Sequence, residues 1–362
     1  MALDAVRTSF LAWDRQLCLD LRPPAAFQQG HIAHAVSIAG IDALRSRFST
    51  LPPRGVPFLL VCDAQDHDLI ASTFVPTERW AIAAIFAIGT EAEGAVATAP
   101  YPTFLLSPTS FQAWAEAAQV WSLQDDTPHL LFTPAPVIQR CVDARLHSDR
   151  PGPCTILDLG CGAGRDLAYA LVQARSAQQA WRGTGVDRWR AALDRASLLL
   201  SDLHLMQTST ETACEGFLPT QLTEDGYAIP LGPRGSAPSP PHTLTDWAVH
   251  VLPRPMYDML WIVRFWPRAC LPHLPRLLAP DGWIVLSHFV HAPMDVDIER
   301  RGTVLATYDA PPIDARIQPG EIEALLARWT ADFGPCRVRE HLIEPIEDGR
   351  PVCTLVVQCR CT

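Results

Sequence analysis

Hydrophobic runs and the polar segments between them divide the chain into two α/β patterns. Before residue 122, QLCLDL and VPFLLVC have the continuous apolar character of buried strands, and PPAAFQQG between them indicates a helical turn. Apolar strands that alternate with helices are typical of a parallel sheet covered on both faces. The polar, proline-terminated segment SLQDDTP at 122–128 predicts a linker. We therefore expect a small α/β domain over residues 1–122.

Residues 129–362 carry a second and longer α/β pattern. The predicted strands are CTILDLG, GTGVD, YDMLWIV and GWIVLSHFV, and the predicted helices are RDLAYALVQAR, RWRAALDRASLLL and the helix-like CLPHLPRLLAP. The alternating segment RPVCTLVVQCR near the C-terminus predicts an edge strand. The succession is that of a doubly wound sheet. A proline-rich segment at 227–243 resists both helix and strand, and it predicts a flexible insertion that is either a solvated loop or a substrate lid.

A glycine-rich turn follows the first strand of the second domain. In TILDLGCGAGRD, Asp158 ends the strand and Gly160, Gly162 and Gly164 alternate before a helix begins. Glycine allows sharp turns and close approach of a ligand, and a helix N-terminus offers N–H groups to an anionic group. A dinucleotide fingerprint needs glycine three residues after Gly162, where Arg165 stands, and no P-loop spacing occurs. The pattern is D-x-G-x-G-x-G, which predicts a small-molecule site.

This turn, together with the acid that ends the next strand, Asp187, resembles motifs I and II of class I S-adenosylmethionine-dependent methyltransferases. The resemblance implies a Rossmann-like fold, an enzyme and S-adenosylmethionine as the cofactor. Asp187 would bind the ribose diol with two hydrogen bonds. The implied cofactor-binding residues are Asp158, Gly160, Cys161, Gly162, Gly164, Asp187 and Arg188.

Segments around the turn, from LLFTPAPVIQRCVDARL to EDGRPVCTLVVQ, look like the tellurite-resistance/thiopurine-type branch of these enzymes. That likeness implies a small methyl acceptor with a soft sulfur, selenium or tellurium nucleophile. The proline-rich insertion blurs the third strand, so Glu224, Asp225 and Asp246 compete as the residue that contacts adenine.

Candidate catalytic residues follow the later strands, because substrates of open α/β sheets lie outside the carboxyl ends of the strands. Arg264 would orient an anionic acceptor, and His288 or His291 would take a proton. A structural alternative remains open, in which Arg264 and Arg268 start a helix and pair with acids.

The first domain carries its own motif, LDLRPPAAFQQGHIAHAVSIA, which closely resembles the rhodanese-like signature at Asp20, Arg22, Phe27, Gly30, His31 and Ile32. The resemblance makes Cys62 the position of a persulfide-bearing cysteine. The loop after it contains Asp63, Asp66 and Asp68, and three carboxylates would raise the pKa of the thiol and repel an anionic sulfur donor. We therefore expect a catalytically degenerate domain that acts as a scaffold or docks a protein partner. The alternative is an active sulfurtransferase at Cys62.

Composition narrows the choice of partners and compartment. The formal net charge of −10 and the pI near 5.6 argue against a nucleic-acid partner. Eleven cysteines without CxxC pairs indicate reduced thiols and no metal site, as in cytoplasmic proteins. The longest apolar run, at 80–88, is about half of the roughly 20 residues that cross a bilayer, so no membrane association is expected. The leading interpretation is a cytoplasmic methyltransferase, and the alternative is a non-catalytic S-adenosylmethionine-binding regulatory protein.

Overall fold

A computed structural model gives the fold of the chain. It divides into two compact units, unit 1 over residues 1–133 and unit 2 over residues 134–362. The structure describes residues 2–13, 15–53, 55–74, 80–89, 94–95, 101–123, 129–148, 152–206, 210–233, 235–236, 239–290, 310–347 and 349–359. Most of the predicted linker, residues 124–128, lies outside these ranges. Among the described helices, none has the length and apolarity that a bilayer crossing requires.

Unit 1 is built on a mainly parallel sheet. Its described strands are β1 (Cys18–Asp20), β2 (His31–Ile32), β3 (Val36–Ser37), β4 (Pro57–Asp63), β5 (Ala81–Ile88), β6 (Gly94–Ala95), β7 (Thr103–Leu106) and β8 (Trp121–Ser122). The sheet order is β3-β1-β4-β5-β7-β6, in which β6 runs antiparallel to β7, and β2 and β8 form a separate antiparallel ribbon. The predicted strands at QLCLDL and VPFLLVC are confirmed as β1 and β4.

Helices cover both faces of this sheet, because its strands carry apolar side chains on each side. They are α1 (Ala2–Ala12), α2 (Pro24–Gln29), α3 (Gly40–Ser46), α4 (His67–Phe74) and α5 (Pro108–Ala117). One core cluster contains Leu60 and Cys62 of β4, and another contains Leu59 and Val61 of the same strand. Burial on both faces is why VPFLLVC reads as a continuous apolar run.

Unit 2 contains a longer mixed sheet. Its described strands are β9 (Cys154–Leu159), β10 (Trp181–Asp187), β11 (Ala213–Leu222), β12 (Ala228–Pro230), β13 (Tyr257–Val263), β14 (Leu278–Phe289), β15 (Cys336–Pro345) and β16 (Pro351–Cys359). The order is β12-β11-β10-β9-β13-β14-β16-β15. Strands β11, β10, β9, β13 and β14 are mutually parallel, while β12, β16 and β15 are each antiparallel to a neighbour. The strand order reverses between β9 and β13, and this switch point is where open α/β sheets bind ligands.

The helices of unit 2 are α6 (Pro136–Leu146), α7 (Arg165–Ser176), α8 (Arg190–Asp202), α9 (Leu244–His250) and α10 (Glu321–Phe333). The predicted helices at RDLAYALVQAR and RWRAALDRASLLL are confirmed as α7 and α8. Each carries an apolar face at helical spacing that packs on the sheet. The helix-like segment CLPHLPRLLAP forms a 3₁₀ helix over Leu271–Leu277, because Pro275 lacks the N–H that a continuous α-helix needs.

Two expectations are corrected. The predicted edge strand near the C-terminus, β16, lies inside the sheet between β14 and β15, and its side chains are almost all buried. The outermost strand is β15, which the sequence does not predict because it is largely polar. The proline-rich segment is also less irregular than expected, because β12 pairs with β11 and the Arg190 guanidinium donates to the carbonyls of Leu231 and Gly232.

Candidate functional site

The glycine turn of unit 2 adopts a backbone that only glycine adopts readily. Gly160, Gly162 and Gly164 have φ angles of +79°, +55° and +71°, all in the left-handed region. The N–H groups of Gly160 and Cys161 donate to the Val186 carbonyl at 2.8 and 3.0 Å. These bonds fasten the turn to the end of the neighbouring strand β10. The alternating glycines are therefore required by the path of the chain between β9 and α7.

Space around the turn sets different limits on the three glycines. A Cβ on Gly160 would lie 2.7 Å from the Phe265 ring, and a Cβ on Gly164 would lie 2.9 Å from the Ala196 Cβ. A Cβ on Gly162 would meet no atom of the described residues within 4 Å. Gly160 and Gly164 thus serve close packing, while Gly162 faces open space.

Asp187 faces the turn from the end of β10. One carboxylate oxygen, Oδ2, accepts a hydrogen bond from the Gly162 N–H at 3.0 Å, and Oδ1 accepts one from the Trp189 N–H at 2.8 Å. Each carboxylate oxygen can accept about two hydrogen bonds, so each keeps capacity for a ligand. The acid is held in one orientation by backbone donors on both sides.

The turn and Asp187 share one pocket of about 500 Å³. Its described lining residues are Gly160, Gly162, Ala163, Val186, Asp187, Arg188, Trp189, Ala192, Arg195, Thr220, Leu222, Arg264 and Phe265. The volume lies within the range of about 300–1,000 Å³ that is usual for small-molecule sites. The structure therefore brings together the predicted Gly160, Gly162, Asp187, Arg188 and Arg264 in one cavity at the switch point of the sheet.

Three carboxyl groups surround the turn. Burial raises the pKa of Asp158 well above its ordinary value, and the charges of Asp166 and Asp187 raise it further. Burial also raises the pKa of Asp166, whose carboxylate accepts the Ala135 N–H at 2.8 Å. Burial and the charges of Asp158 and Asp187 raise the pKa of the Cys161 thiol, so Cys161 is a poor nucleophile at neutral pH. A cationic ligand would offset this concentration of negative charge.

Arg264 lies on the pocket wall with an unusual backbone. Its φ of +57° is left-handed, and its N–H donates to the Ser287 carbonyl at 2.6 Å. Its guanidinium donates to the Glu347 carboxylate at 2.6 Å. Arg268 also pairs with an acid, Glu321, at 2.8 Å. Arg264 thus combines two roles that the sequence left as alternatives, since it lines the pocket and pairs with an acid.

His288 is buried among other side chains. It is 5% exposed, its Nε2 donates to the Ala315 carbonyl at 2.9 Å, and its ring stacks on Trp266 with centroids 5.7 Å apart. Burial lowers its pKa to about 4, so the ring is neutral at pH 7. His288 is not among the described lining residues of the pocket. His291, the other histidine considered, lies outside the described residues.

The residues considered for adenine lie away from this lining. Glu224 and Asp225 follow β11, and Asp246 belongs to the start of α9, where Thr243 accepts its N–H and donates to its carboxylate. Asp225 lines a separate pocket of about 440 Å³. The β11 residues on the described wall of the main pocket are Thr220 and Leu222, which precede Glu224 and Asp225 in the chain.

Sequence reasoning also missed Trp189, Arg195 and Phe265 on the pocket wall. Trp189 had a signal, since it follows Asp187 and Arg188 directly. Its ring is 63% exposed, and the Arg188 guanidinium lies 5.7 Å from the ring centroid. Arg195 projects from α8 and had no distinguishing pattern in the sequence.

The corresponding strand end of unit 1 carries Cys62. The cysteine is fully buried near the end of β4, and burial together with the charges of Asp63 and Asp66 raises the pKa of its thiol far above the ordinary value. Arg22 is buried as well, and its guanidinium donates to Asp20 at 2.6 Å and to the Gly30 carbonyl at 3.0 Å. A thiol in these surroundings stays protonated at neutral pH.

Two buried contacts account for other predicted motif residues of unit 1. The His31 ring stacks on Phe27 with centroids 3.8 Å apart. A Cβ on Gly30 would lie 1.9 Å from the Trp121 ring.

In the part of the chain that the structure describes, no group of three or more histidine, cysteine or acidic side chains is arranged to hold a metal ion.

Comparison with known proteins gives a full-length relative and distant structural likenesses. No protein-family model matches the chain. A protein of Schizosaccharomyces pombe (strain 972), described as "Uncharacterized protein UNK4.09", is 25% identical over 357 residues, which span 94% of this chain and 93% of that protein. The similarity therefore extends over both units.

Similar solved structures include magnesium protoporphyrin IX methyltransferase from Synechocystis PCC 6803 with bound S-adenosylmethionine. It is 11% identical, has a TM-score of 0.37, and the match covers 61% of this chain and 77% of that one. A methyltransferase from Thiobacillus denitrificans in complex with S-adenosylhomocysteine is 14% identical with a TM-score of 0.37, over 63% of this chain and 92% of that one.

Proposed function

We propose that this chain is an S-adenosylmethionine-dependent methyltransferase whose site is the pocket beside the glycine turn of unit 2. The observation that carries the proposal is the hydrogen bond from the Gly162 N–H to the Asp187 carboxylate, together with the cavity that both residues line. It joins the turn after β9 to the acid that ends β10, which are the two elements of the predicted motif.

The residues of the pocket fit this cofactor chemically. The remaining hydrogen-bonding capacity of Asp187 suits a ribose diol, and the start of α7 suits a carboxylate. The surplus of acids behind the turn suits the ammonium and sulfonium charges. The proposed cofactor contacts are Asp158, Gly160, Cys161, Gly162, Gly164, Asp187 and Arg188. When bound, S-adenosylmethionine supplies a methyl group that its sulfonium already activates.

The protein's own contribution is to position the reactants and exclude water. Asp187 is the one acid among the described lining residues, and the proposed ribose contact occupies it. The described lining includes no histidine, cysteine or tyrosine, and the chain contains no lysine, so this part of the wall offers the acceptor no general base. Such a wall suits an acceptor that needs no base on the protein, because the small thiolate fraction of a free thiol at neutral pH is already a strong nucleophile. We therefore propose a small acceptor with a soft sulfur-type nucleophile, oriented by Arg264.

Calorimetry tests cofactor binding. Wild-type protein should bind S-adenosylmethionine and S-adenosylhomocysteine, and Asp187→Ala should weaken both about 100-fold, because two charge-assisted hydrogen bonds would be lost. Asp194→Ala is the matched control, since Asp194 is an exposed acid on α8 outside the pocket lining. Absence of binding by the wild type would refute the proposal.

A labelled-methyl screen tests the acceptor. We expect transfer to small thiols or to selenium and tellurium compounds, and none to RNA or to small carboxylic acids. Labelling of RNA would contradict the small-molecule assignment. Tight cofactor binding without transfer to any acceptor would favour the alternative, a non-catalytic regulatory protein that binds S-adenosylmethionine.

For unit 1 we propose a rhodanese-like domain that serves as a scaffold or docks a protein partner. The buried Cys62 and the carboxylates beside it support this role over sulfur transfer. Incubation with thiosulfate or mercaptopyruvate should leave Cys62 unmodified. A persulfide on Cys62 that cyanide discharges would instead establish the second activity, a sulfurtransferase joined to the methyltransferase.

A further inference from the structure

The open end of the β15–β16 hairpin brings two cysteine thiols together. Cys336 begins β15, Cys359 ends β16, and the two residues lie directly opposite each other in the strand register. Their Sγ atoms are 3.4 Å apart. Opposed residues of antiparallel strands have Cα separations of about 4.5–5.5 Å. This spacing falls within the range of about 4.4–6.8 Å that a disulfide needs, so little backbone movement would be required.

The two thiols differ in access, as a pair that reacts stepwise requires. Cys336 is half-buried, whereas Cys359 is 1% exposed. The other described cysteines are buried, except Cys161, and burial raises the pKa of the Cys161 thiol. Cys336 thus has both partial access to solvent and a second sulfur within reach.

We propose that Cys336 and Cys359 form a reversible disulfide-modification site, with a low-molecular-weight disulfide such as oxidised glutathione as the oxidant. The Cys336 thiolate attacks one sulfur of the oxidant, forms a mixed disulfide and expels one glutathione thiolate. Cys359 then attacks the Cys336 sulfur, forms the protein disulfide and expels the second thiolate. The protons of the two protein thiols end on the two glutathione thiols, and the protein loses the two electrons that the oxidant gains.

The bond would strengthen an exposed edge of the sheet. Within the described part of unit 2, β15 pairs with β16 alone and is the outermost strand on its side. β15 carries Glu340 and Glu344, which both accept hydrogen bonds from the Arg140 guanidinium of α6. Edge strands open by local unfolding. A covalent link at the open end of the hairpin would restrain that opening and hold both acids near Arg140.

Peptide mapping of the full-length protein tests the proposal. The protein is incubated with oxidised glutathione, alkylated without reduction and digested with trypsin, which cleaves only after arginine because the chain has no lysine. Cys336 lies in peptide 329–337, and Cys359 shares peptide 340–360 with Cys353 because trypsin does not cut before Pro351. We expect these peptides to be linked, with the loss of two hydrogen atoms, and the link to be reversed by dithiothreitol.

Variants assign the sulfur and exclude competing partners. Cys353→Ala should keep the link and Cys359→Ser should abolish it. Hydrogen exchange at β15 amides should slow several-fold on oxidation of the wild type and should not change in Cys359→Ser. A link to Cys361, which lies outside the described residues, a mixed disulfide that goes no further, or two freely alkylated thiols would each overturn the proposal.

Discussion

Two buried parallel strands in this chain, β4 and β9, have contrasting ends. Strand β9 runs into three glycines with left-handed φ angles, and the turn they form lines a cavity together with Asp187. Strand β4 ends at Asp63 and continues into a short 3₁₀ helix, Ala64–Asp66, with Cys62 fully buried behind it.

Position at the end of a buried parallel strand is therefore not sufficient to form a ligand-binding site. At the end of β9, glycine removes side chains from the turn, and the turn lines a cavity beside an oriented carboxylate. At the end of β4, the acids of the loop and burial keep the thiol protonated. The end of β9 combines a cavity with an oriented acid, whereas the end of β4 places carboxylates beside a buried thiol and opposes its ionisation.

The largest effect on cofactor affinity is expected when a side chain replaces a glycine in the turn after β9. Gly160→Ala would place a Cβ 2.7 Å from Phe265 on a backbone with φ of +79°, at a cost of about 1–2 kcal/mol for the conformation alone. We expect S-adenosylhomocysteine affinity to fall at least 100-fold by calorimetry. Gly152→Ala is the control, because no atom of the described residues lies within 4 Å of its Cβ position. Unchanged affinity in Gly160→Ala would show that the proposed cofactor site does not depend on the glycine turn after β9.

A smaller effect is expected on the reactivity of the Cys62 thiol when the acids at the end of β4 are removed. The pKa of Cys62 is raised, so its alkylation rate should increase about tenfold per pH unit with no plateau up to pH 10, because the thiolate fraction keeps growing. Replacing both Asp63 and Asp66 by Asn should raise the rate at pH 8 several-fold, as followed by mass spectrometry. A plateau below pH 9 would show that the thiol is already activated.

Arg264 offers a test within unit 2. In its pair with Glu347, the Arg264 side chain is 39% exposed and the Glu347 side chain 47%, so the pair adds less than about 1 kcal/mol to stability. Arg264→Ala should therefore leave S-adenosylhomocysteine affinity within about twofold and reduce turnover about fivefold through loss of acceptor orientation. Glu347→Gln removes the same ion pair and should leave turnover near wild type. Equal losses in both variants would mean that the ion pair, and not the acceptor, needs Arg264.

The smallest effect on turnover is expected at His288. His288→Gln should keep turnover within about twofold at pH 7.5, since the neutral ring packs on Trp266. The folded pKa of His288, about 4, lies below the unfolded value of about 6.5, so its contribution to stability is present above pH 6.5 and is lost as the pH falls towards 4. Acid unfolding of His288→Gln should be shallower over that window. A much larger loss of turnover would restore His288 as a proton acceptor.

The sequence predicted the glycine turn and its neighbouring acid because both depend on local features. The three left-handed φ angles follow from glycine spacing within five residues, and Asp187 ends a short, mostly buried strand. The apolar strands of both units were equally visible, since burial on both faces leaves continuous hydrophobic runs. These features need no knowledge of distant contacts.

Features that depend on distant parts of the chain could not be predicted. Glu347 lies 83 positions after Arg264, and no pattern in either segment indicates their ion pair. Strand β15 is largely polar and lacks an alternating apolar pattern, so the sequence predicts β16 as the edge strand instead. His288 lies near the end of the apolar strand β14, and its burial depends on stacking against Trp266, which comes from a separate segment of the chain.

A crystal structure of the full-length chain with S-adenosylhomocysteine would show whether the pocket of unit 2 binds the cofactor. We expect the ligand in the pocket beside Gly162, with its ribose hydroxyls within hydrogen-bond distance of the two Asp187 carboxylate oxygens. A ligand bound elsewhere, or a ribose that makes no contact with Asp187, would contradict this expectation.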